Sequence, residues 1–229
     1  VWTVGGGWMG RPSIIVFDLD GTLIEFRLEL SEAKRRIVEM LVGKGVPAHL
    51  VSPNDSIYVL LQKTEQIMGI ESGRDLKKSL LKIMKEYEMR AAKQSQPRKG
   101  VPQLLHTLKE QGIRLAVATN THREAALLSL SRVSILSLIE ALVTRDDVNN
   151  MKPRGDVLKR LLELLNVAPE IVLYVGDSIH DLQAAREAGV AFIGVEGGFN
   201  TRYDLEAAGC RTVIREPLEL LRYLDLPLA

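Results

Sequence analysis

The alternation of apolar and polar segments along the chain predicts a sheet of buried strands connected by helices. Four short apolar runs predict strands buried on both faces, at residues 13–17, 114–118, 171–175 and 191–195. A further possible strand lies at 141–144. Apolar residues at spacings of three and four predict the connecting helices, at residues 101–111, 155–166 and 181–189. We therefore expect an α/β fold with a Rossmann-like, doubly wound parallel sheet.

Residues 28–96 interrupt this alternation because they contain no strand-like run. Helical periodicity instead predicts three amphipathic helices, at residues 29–42, 54–68 and 74–92. Glycine-containing segments at 43–47 and 69–73 are predicted to separate them. A helical block between the first two core strands indicates an inserted domain.

The predicted domain organisation is a core interrupted by a helical cap. Residues 1–24 and 98–229 form the core, and residues 25–97 form the cap. The outgoing joint is assigned to residues 95–102, which are rich in turn-forming residues.

Composition excludes several classes of function. Hydrophobic residues make up 46% and charged residues 26% of the 229 positions, as expected for a folded domain. Lysine and arginine exceed the acids by a single charge and aromatic residues are only 5%, so we expect no nucleic-acid partner. No run reaches the roughly 18 apolar residues that a membrane-spanning helix needs, so we expect no membrane partner.

The single cysteine, Cys210, excludes a disulfide within the chain and favours a cytoplasmic location. The first ten residues lack the basic start and apolar stretch of a signal peptide. We expect them to be a disordered leader, with Met9 as a candidate initiator. The oligomeric state stays open between a monomer and a homodimer.

Polar clusters follow the predicted strands where those strands end. In open parallel sheets, ligands bind at this carboxyl edge. The clustered residues there are Asp18, Asp20, Gly21 and Thr22 after the first strand, Thr119 and Asn120 after the second, Lys152 after the candidate at 141–144, and Asp177 and Asp181 after the strand at 171–175.

These residue types suit phosphate chemistry. The carboxylates of Asp18 and Asp177 are the hard oxygen ligands that Mg²⁺ prefers, and a carboxylate can also attack phosphorus to form an aspartyl-phosphate. Lys152 supplies a cation that offsets the repulsion between the attacking carboxylate and the negatively charged phosphate. The hydroxyl of Thr119 and nearby backbone N–H groups are candidate donors to the phosphoryl oxygens.

Asp20 lies two residues beyond Asp18 and therefore falls on the same side of an extended segment. It can protonate the leaving oxygen and then deprotonate the attacking water. Gly21 permits the sharp departure of the chain that this crowding requires.

Taken together, these motifs resemble the haloacid dehalogenase superfamily of hydrolases with an α-helical cap, in a pattern similar to the phosphoglycolate phosphatase group. The resemblance implies that Asp18 is the nucleophile and that Asp20 is the general acid/base and binds the metal through its backbone carbonyl. It also implies that Asp177 is a Mg²⁺ ligand and that Asp181 is a ligand or an orienting residue. The implied phosphate contacts are Gly21, Thr22, Thr119, Asn120 and Lys152.

The expected activity is Mg²⁺-dependent hydrolysis of a small phosphorylated metabolite, such as phosphoglycolate or a sugar phosphate. The cap loop over residues 69–75 is expected to reach the site, with Arg74 binding an anionic substrate. Asp20 argues against the dehalogenase and phosphonatase branches of the resembled superfamily. A phosphomutase and a non-catalytic phosphate-binding or regulatory module stay open as alternatives.

Overall fold

The computed structural model describes residues 11–227, apart from the side chains of Ile70 and Glu71. The predicted leader and Met9 lie outside the described residues. Within the described range, no helix has both the length and the apolar character needed to cross a membrane.

Six parallel strands form one sheet in the described part of the chain. They are β1 Ile14–Phe17, β2 Arg114–Ala118, β3 Ala141–Val143, β4 Val172–Gly176, β5 Ala191–Val195 and β6 Val213–Ile214. The strand order is β3-β2-β1-β4-β5-β6, so the chain moves outward on one side of β1 and then on the other. Such a reversal opens a crevice at the carboxyl ends of the central strands, where α/β proteins bind ligands.

Nine α-helices accompany the sheet within residues 11–227. They are α1 Leu30–Gly43, α2 Ile57–Met68, α3 Ile70–Ala92, α4 Val101–Glu110, α5 Arg123–Arg132, α6 Asp156–Leu165, α7 Ile179–Ala188, α8 Arg202–Ala207 and α9 Glu219–Tyr223. With the strands, they confirm the predicted α/β fold class.

Both faces of the sheet are buried, as the continuous apolar runs predict. On β1, Ile15 and Phe17 belong to one hydrophobic cluster, while Ile14 and Val16 belong to a second cluster on the opposite face. The first cluster also contains Leu220, Leu221 and Leu224, so the carboxy-terminal leucines pack on the core. The register places Phe17 beside Val117 and Val175, which brings the loops after β1, β2 and β4 to the same edge.

The strand bounds differ from the predicted bounds by a residue in three places, one of them the candidate strand at 141–144, which ends at Val143, and one strand was not predicted. The predicted strand at 13–17 begins at Ile14, and the one at 171–175 runs over Val172–Gly176. Strand β6 has only two residues, too few for a hydrophobic pattern to distinguish it from a loop.

The chain divides into two compact units. One contains the described residues up to Phe26 and from Ser95 onward, and the other contains residues 27–94. The second unit is helical: α2 and α3 pack together, α1 packs on α3, and Ile37, Leu41, Leu60 and Leu80 are fully buried. The sequence places the boundaries after residue 24 and before residue 98, and the division into a catalytic core and a cap stays a prediction.

The predicted break at residues 69–73, and the loop expected over 69–75, are wrong beyond Gly69. Helix α3 begins at Ile70, and only Gly69, with a φ of 75°, adopts a conformation that ends a helix. Gly73 lies inside α3, where a Cβ would stand 3.0 Å from the Cα of Glu65 on α2. This glycine therefore permits a close approach of two helices instead of forming a turn.

A short ladder joins the two segments that connect the units, and it lies within the sheet-containing unit. Ile24 and Pro97 form an antiparallel bridge, and the N–H of Glu25 donates to the Gln96 carbonyl at 3.0 Å. The N–H of Arg98 donates to the Leu23 carbonyl at 3.0 Å. The outgoing and returning segments are thus hydrogen-bonded to each other.

Candidate active site

The Lys152 side chain stands at the centre of the carboxyl edge of the sheet. Its Nζ donates to Asp18 Oδ1 and to Asp181 Oδ1, both at 2.6 Å, and it lies 3.0 Å from the Tyr174 hydroxyl and 3.3 Å from the Ala118 carbonyl. Its side chain is only 4% exposed. A buried ammonium with two carboxylate partners forms strong, charge-assisted hydrogen bonds.

These partners shift the pKa values of both Asp18 and Lys152. Burial raises the pKa of Asp18 well above its usual range, and Lys152 offsets only part of that effect, while Asp181 and Asp177 add to it. Burial acts in the opposite direction on Lys152, but the two carboxylates outweigh it and raise the Lys152 pKa. The lysine is therefore firmly cationic at neutral pH.

Asp181 has hydrogen-bond partners on both carboxylate oxygens. Oδ1 accepts from Lys152 and from the Tyr174 hydroxyl at 2.7 Å, while Oδ2 accepts from the backbone N–H of Ser178 at 3.0 Å and from its hydroxyl. Burial raises the pKa of Asp181, but Lys152, Ser178 and Tyr174 together lower it below its usual value. Asp181 is thus an ionised group that holds Lys152 in place.

Asp177, at the end of β4, is enclosed by two loops. Its Oδ1 accepts from the Thr22 hydroxyl at 3.1 Å, and its Oδ2 accepts from the backbone N–H of Phe199. A Cβ on Gly21 or on Gly198 would overlap Asp177 Oδ2, so only glycine fits at both positions. Burial, followed by repulsion from Asp181, raises the pKa of Asp177 to about 7.

The acidic residues at this edge fit a divalent cation. Asp18, Asp177 and Asp181 each offer a carboxylate oxygen, and these oxygens lie within 4.8 Å of one another. Hard oxygen donors, few in number, are the protein ligands that Mg²⁺ prefers. The raised pKa values of Asp18 and Asp177 report negative charge that the surrounding residues do not fully neutralise, and a bound cation would offset it.

Asp20 and Thr119 are connected by Thr121, which hydrogen-bonds to both side chains. The Thr121 hydroxyl donates to Asp20 Oδ2 at 2.5 Å, and the Thr121 N–H donates to Thr119 Oγ1 at 3.1 Å. Thr119 is buried, whereas Asp20 is partly exposed. The loop after β2 therefore orients the carboxylate that the sequence predicts as a general acid/base.

Asn120 has a partner that the sequence does not suggest. Its amide oxygen accepts from the Lys152 N–H at 2.8 Å and its amide nitrogen donates to the Lys152 carbonyl at 3.0 Å. Asn120 therefore fixes the backbone of the loop that carries the lysine. A contact between Asn120 and phosphate stays a prediction.

Arg74 lies in the helical unit, on α3, and not in a loop. It lines a surface cavity of about 380 Å³ together with Glu65, Lys77, Lys78 and Leu81. Its predicted role in binding an anionic substrate stays a prediction.

Two residues of the site were not predicted from the sequence. Tyr174 is fully buried within β4, and its hydroxyl lies against both Asp181 and Lys152. The only sequence signal was one hydroxyl in an otherwise apolar strand. Arg98 donates to the backbone carbonyls of Gly21 and Glu196, which belong to the two loops that enclose Asp177.

Comparison with known proteins places this geometry among hydrolases. The sequence profile of the haloacid dehalogenase-like hydrolases matches residues 15–195. A phosphorylated carbohydrates phosphatase of Thermotoga maritima is 30% identical, over 92% of this chain and 97% of the relative. A phosphoglycolate phosphatase of Pseudomonas putida is 27% identical, over 92% of this chain and 79% of the relative.

Solved structures agree with the fold. The crystal structure of a hydrolase from Pseudomonas syringae superposes with a TM-score of 0.75 at 25% identity, covering 93% of this chain and 98% of the other. The sequence comparisons and the overall fold therefore lead to the same family.

Proposed function

Because the chain belongs to the haloacid dehalogenase-like hydrolase family, we propose that it is a Mg²⁺-dependent phosphatase that forms an aspartyl-phosphate on Asp18. The observation that carries the proposal is the Asp18–Lys152 contact of 2.6 Å beside Asp177 at the carboxyl edge of the sheet. A nucleophile, a buried cation and a second carboxylate meet there, which is the set of groups that phosphoryl transfer needs.

In the first half of the reaction, a carboxylate oxygen of Asp18 attacks the phosphorus of the bound monoester. The bond between phosphorus and the ester oxygen breaks, and Asp20 donates a proton to the leaving alkoxide. Lys152 and the Thr119 hydroxyl bind the phosphoryl oxygens, whose negative charge is spread in the transition state. The Thr121 hydroxyl holds Asp20 in position for this transfer.

In the second half, water attacks the phosphorus of the aspartyl-phosphate. Asp20, now ionised, accepts a proton from that water, the bond between phosphorus and Asp18 breaks, and inorganic phosphate leaves with the carboxylate restored. The same group therefore acts first as an acid and then as a base.

Asp18 and Asp177 would hold the cation, with Asp20 contributing its backbone carbonyl and Asp181 acting through Lys152. Bound Mg²⁺ supplies positive charge that offsets the repulsion between the carboxylate and the phosphate. The other named residues do not hold the cation: they bind the phosphoryl group, orient neighbouring side chains or transfer protons.

We assign the substrate to the class of small phosphorylated metabolites. The names of the two relatives indicate phosphorylated carbohydrates and phosphoglycolate as the first compounds to test. The helical unit, proposed as the cap, would close over the leaving group and limit access of bulk water. Arg74 is the proposed contact for an anionic leaving group.

The experiment that tests the proposal is phosphate release from a panel containing phosphoglycolate, sugar phosphates and pyrophosphate, with Mg²⁺ or with EDTA. Asp18→Asn should lower kcat by at least about 10³-fold, because it removes the nucleophile. Asp204→Asn is the matched control, since Asp204 is an acid that caps α8 in an exposed capping box. Full activity in Asp18→Asn would exclude the aspartyl-phosphate, and transfer of phosphate to a sugar phosphate without release would indicate a mutase.

A further inference from the structure

Two loops meet at the Asp177 carboxylate, and each contributes one glycine and one hydrogen-bond donor. After β1, Gly21 packs against the carboxylate and the next residue, Thr22, donates its hydroxyl. After β5, Gly198 packs against the carboxylate and the next residue, Phe199, donates its N–H. The position of Asp177 therefore depends on how far apart these two loops lie.

Arg98 connects the two loops. One guanidinium nitrogen donates to the Gly21 carbonyl and the other donates to the Glu196 carbonyl, two residues before Gly198. The loop after β5 lies directly on the guanidinium, since a Cβ on Gly197 would stand 3.0 Å from Arg98 Nη2. The rigid fork of an arginine can bind two carbonyl oxygens at once, which a lysine ammonium cannot match in geometry.

Arg98 is also part of the segment that returns from the helical unit. Its backbone N–H donates to the Leu23 carbonyl, directly after the Ile24–Pro97 bridge. The guanidinium is half-buried; burial lowers its pKa, and the negative charge of Asp177 partly offsets that effect. One residue thus contacts the returning segment and both loops around Asp177.

We propose that Arg98 is a positioning residue for the divalent-cation site, because it sets the distance between the two loops that hold Asp177. This inference rests on the proposed function only in its choice of cation. Loss of the guanidinium would let the loops separate, and Asp177 would lose its fixed orientation toward Asp18. Residues that orient metal ligands typically account for 10–100-fold in metal affinity.

Three variants test the proposal by Mn²⁺ binding, followed by the electron paramagnetic resonance of the free ion, with kcat and KM measured in parallel. Arg98→Ala removes both donors, and Arg98→Lys keeps the charge without the fork. Arg186→Ala is the matched control. Arg186 donates to the Gly209 carbonyl at 2.9 Å, and a Cβ on Gly209 would stand 2.7 Å from its guanidinium, so the same kind of contact occurs away from the site.

We expect Arg98→Ala to weaken Mn²⁺ binding by about tenfold or more and Arg98→Lys to weaken it less, while Arg186→Ala stays within about twofold of the wild type. We also expect millimolar guanidinium to restore Mn²⁺ binding to Arg98→Ala, and an equal concentration of ammonium to have no effect. Should Arg98→Ala fail to fold, the comparison of Arg98→Lys with Arg186→Lys carries the same test.

Wild-type Mn²⁺ affinity in both Arg98 variants, or equal losses in the Arg98 and Arg186 variants, would overturn the proposal. Failure of the proposed function has a different signature. In that case the wild type would bind Mn²⁺ and release no phosphate, and the Arg98 comparison would still be readable from binding alone.

Discussion

At the scale of single residues, the site is an arrangement of buried charges that neutralise one another only in part. Asp18 and Asp181 share one lysine, and Asp177 has hydrogen bonds but no cationic side chain in direct contact among the interactions described above. The raised pKa values of Asp18 and Asp177 follow from this imbalance. The metal-free protein should therefore carry an electrostatic cost that depends on pH.

The first prediction concerns the stability of the metal-free protein between pH 5 and pH 8. The pKa of Asp177 is about 7 in the folded state against a usual value of 3.8, so the folded protein holds this proton more tightly than the unfolded chain. The free energy of unfolding should then fall as pH rises through this window, by about 2–3 kcal/mol, with most of the fall below pH 7. Thermal unfolding in EDTA measures the slope.

Asp177→Asn should flatten this pH dependence and raise the melting temperature at pH 8. Mg²⁺ should stabilise the wild type at the same pH but leave Asp177→Asn nearly unchanged, because the ligand is lost. A metal-free wild type that becomes more stable from pH 5 to pH 8 would contradict the prediction.

The second prediction concerns Tyr174, whose hydroxyl donates to Asp181 at 2.7 Å. Tyr174→Phe keeps the ring and its packing but leaves an oxygen of Asp181 with one donor fewer. We expect a loss of about 1–3 kcal/mol in stability and a lower kcat, since Lys152 is then held by an Asp181 whose Oδ1 has lost its second donor. Tyr223→Phe is the control, because the Tyr223 hydroxyl lies 3.5 Å from Thr212, outside the site.

Denaturant unfolding and steady-state kinetics measure both variants. Equal behaviour of Tyr174→Phe and Tyr223→Phe would mean that the buried hydroxyl does not contribute to the site.

The third prediction separates the two roles of Asp20. An aryl phosphate with a good leaving group needs no proton in the first step, so Asp20→Asn should still form the phospho-enzyme but hydrolyse it slowly. With a substrate that carries a radioactive phosphoryl group, acid quenching should then trap this group on the Asp20→Asn protein and trap little of it on the wild type. Unchanged release of phosphate from Asp20→Asn would argue against a role in the second step.

The sequence predicted Asp18 and Asp177 because each directly follows a strand whose apolar run is easily recognised. Lys152 lies nine residues beyond β3 and Asp181 lies within α7, so their prediction depended on residue type and on the motifs of the resembled superfamily.

The sequence did not predict Tyr174 or Arg98. Tyrosine is common in strands, so its residue type says nothing of a hydrogen bond to a helix start. The role of Arg98 depends on carbonyls that lie 77 and 98 residues away along the chain, and no local pattern reports such contacts.

At the scale of elements, the two helices α2 and α3 illustrate how packing overrides propensity. Glycine inside a helix costs about 1 kcal/mol relative to alanine, so the sequence favours a break around Gly73. The structure continues the helix through it, since a Cβ there would lie against the backbone of α2. Tertiary contacts, which a local pattern cannot contain, decide the outcome.

The fourth prediction is that Gly73→Ala destabilises the protein although alanine is the better helix former. The new Cβ would stand 3.0 Å from the Glu65 Cα, so α2 and α3 must separate, with an expected cost of about 1–3 kcal/mol. Gly43→Ala is the matched control. Gly43 is the last residue of α1, and a Cβ added to it would meet no atom within 4 Å, so this variant should gain up to about 1 kcal/mol.

Urea unfolding of the two variants gives the comparison. A stabilised Gly73→Ala would show that α2 and α3 can separate without cost.

At the scale of the whole molecule, the ladder between the connecting segments belongs to the sheet-containing unit, so its hydrogen bonds do not depend on residues 27–94. Residues 24 and 97 already pair, so the chain can be closed between them by a short turn. Removal of residues 27–94 is therefore a direct test of the predicted division into core and cap.

The fifth prediction is that replacing residues 27–94 by an Asn-Gly turn leaves a folded sheet-containing unit that still binds Mn²⁺. All of the acids in the cluster, and Lys152, belong to that unit. Hydrolysis of the best substrate should fall much more than hydrolysis of an aryl phosphate, because the cap is proposed to select the leaving group. Circular dichroism and Mn²⁺ binding measure the fold and the site; loss of Mn²⁺ binding in a folded product would contradict the prediction.

The contact between Lys152 and Asp18 bears on a side reaction that would inactivate the enzyme. On the proposed mechanism, the Asp18 carboxylate becomes an activated acyl group while an amine stands 2.6 Å from one of its oxygens. A neutral amine at that distance would displace phosphate and close an amide, which would inactivate the molecule permanently. Asp18 and Asp181 both raise the pKa of Lys152. Asp181 is the carboxylate that would stay ionised once Asp18 carries the phosphoryl group, so it would keep the amine protonated and protect the protein from acylating itself.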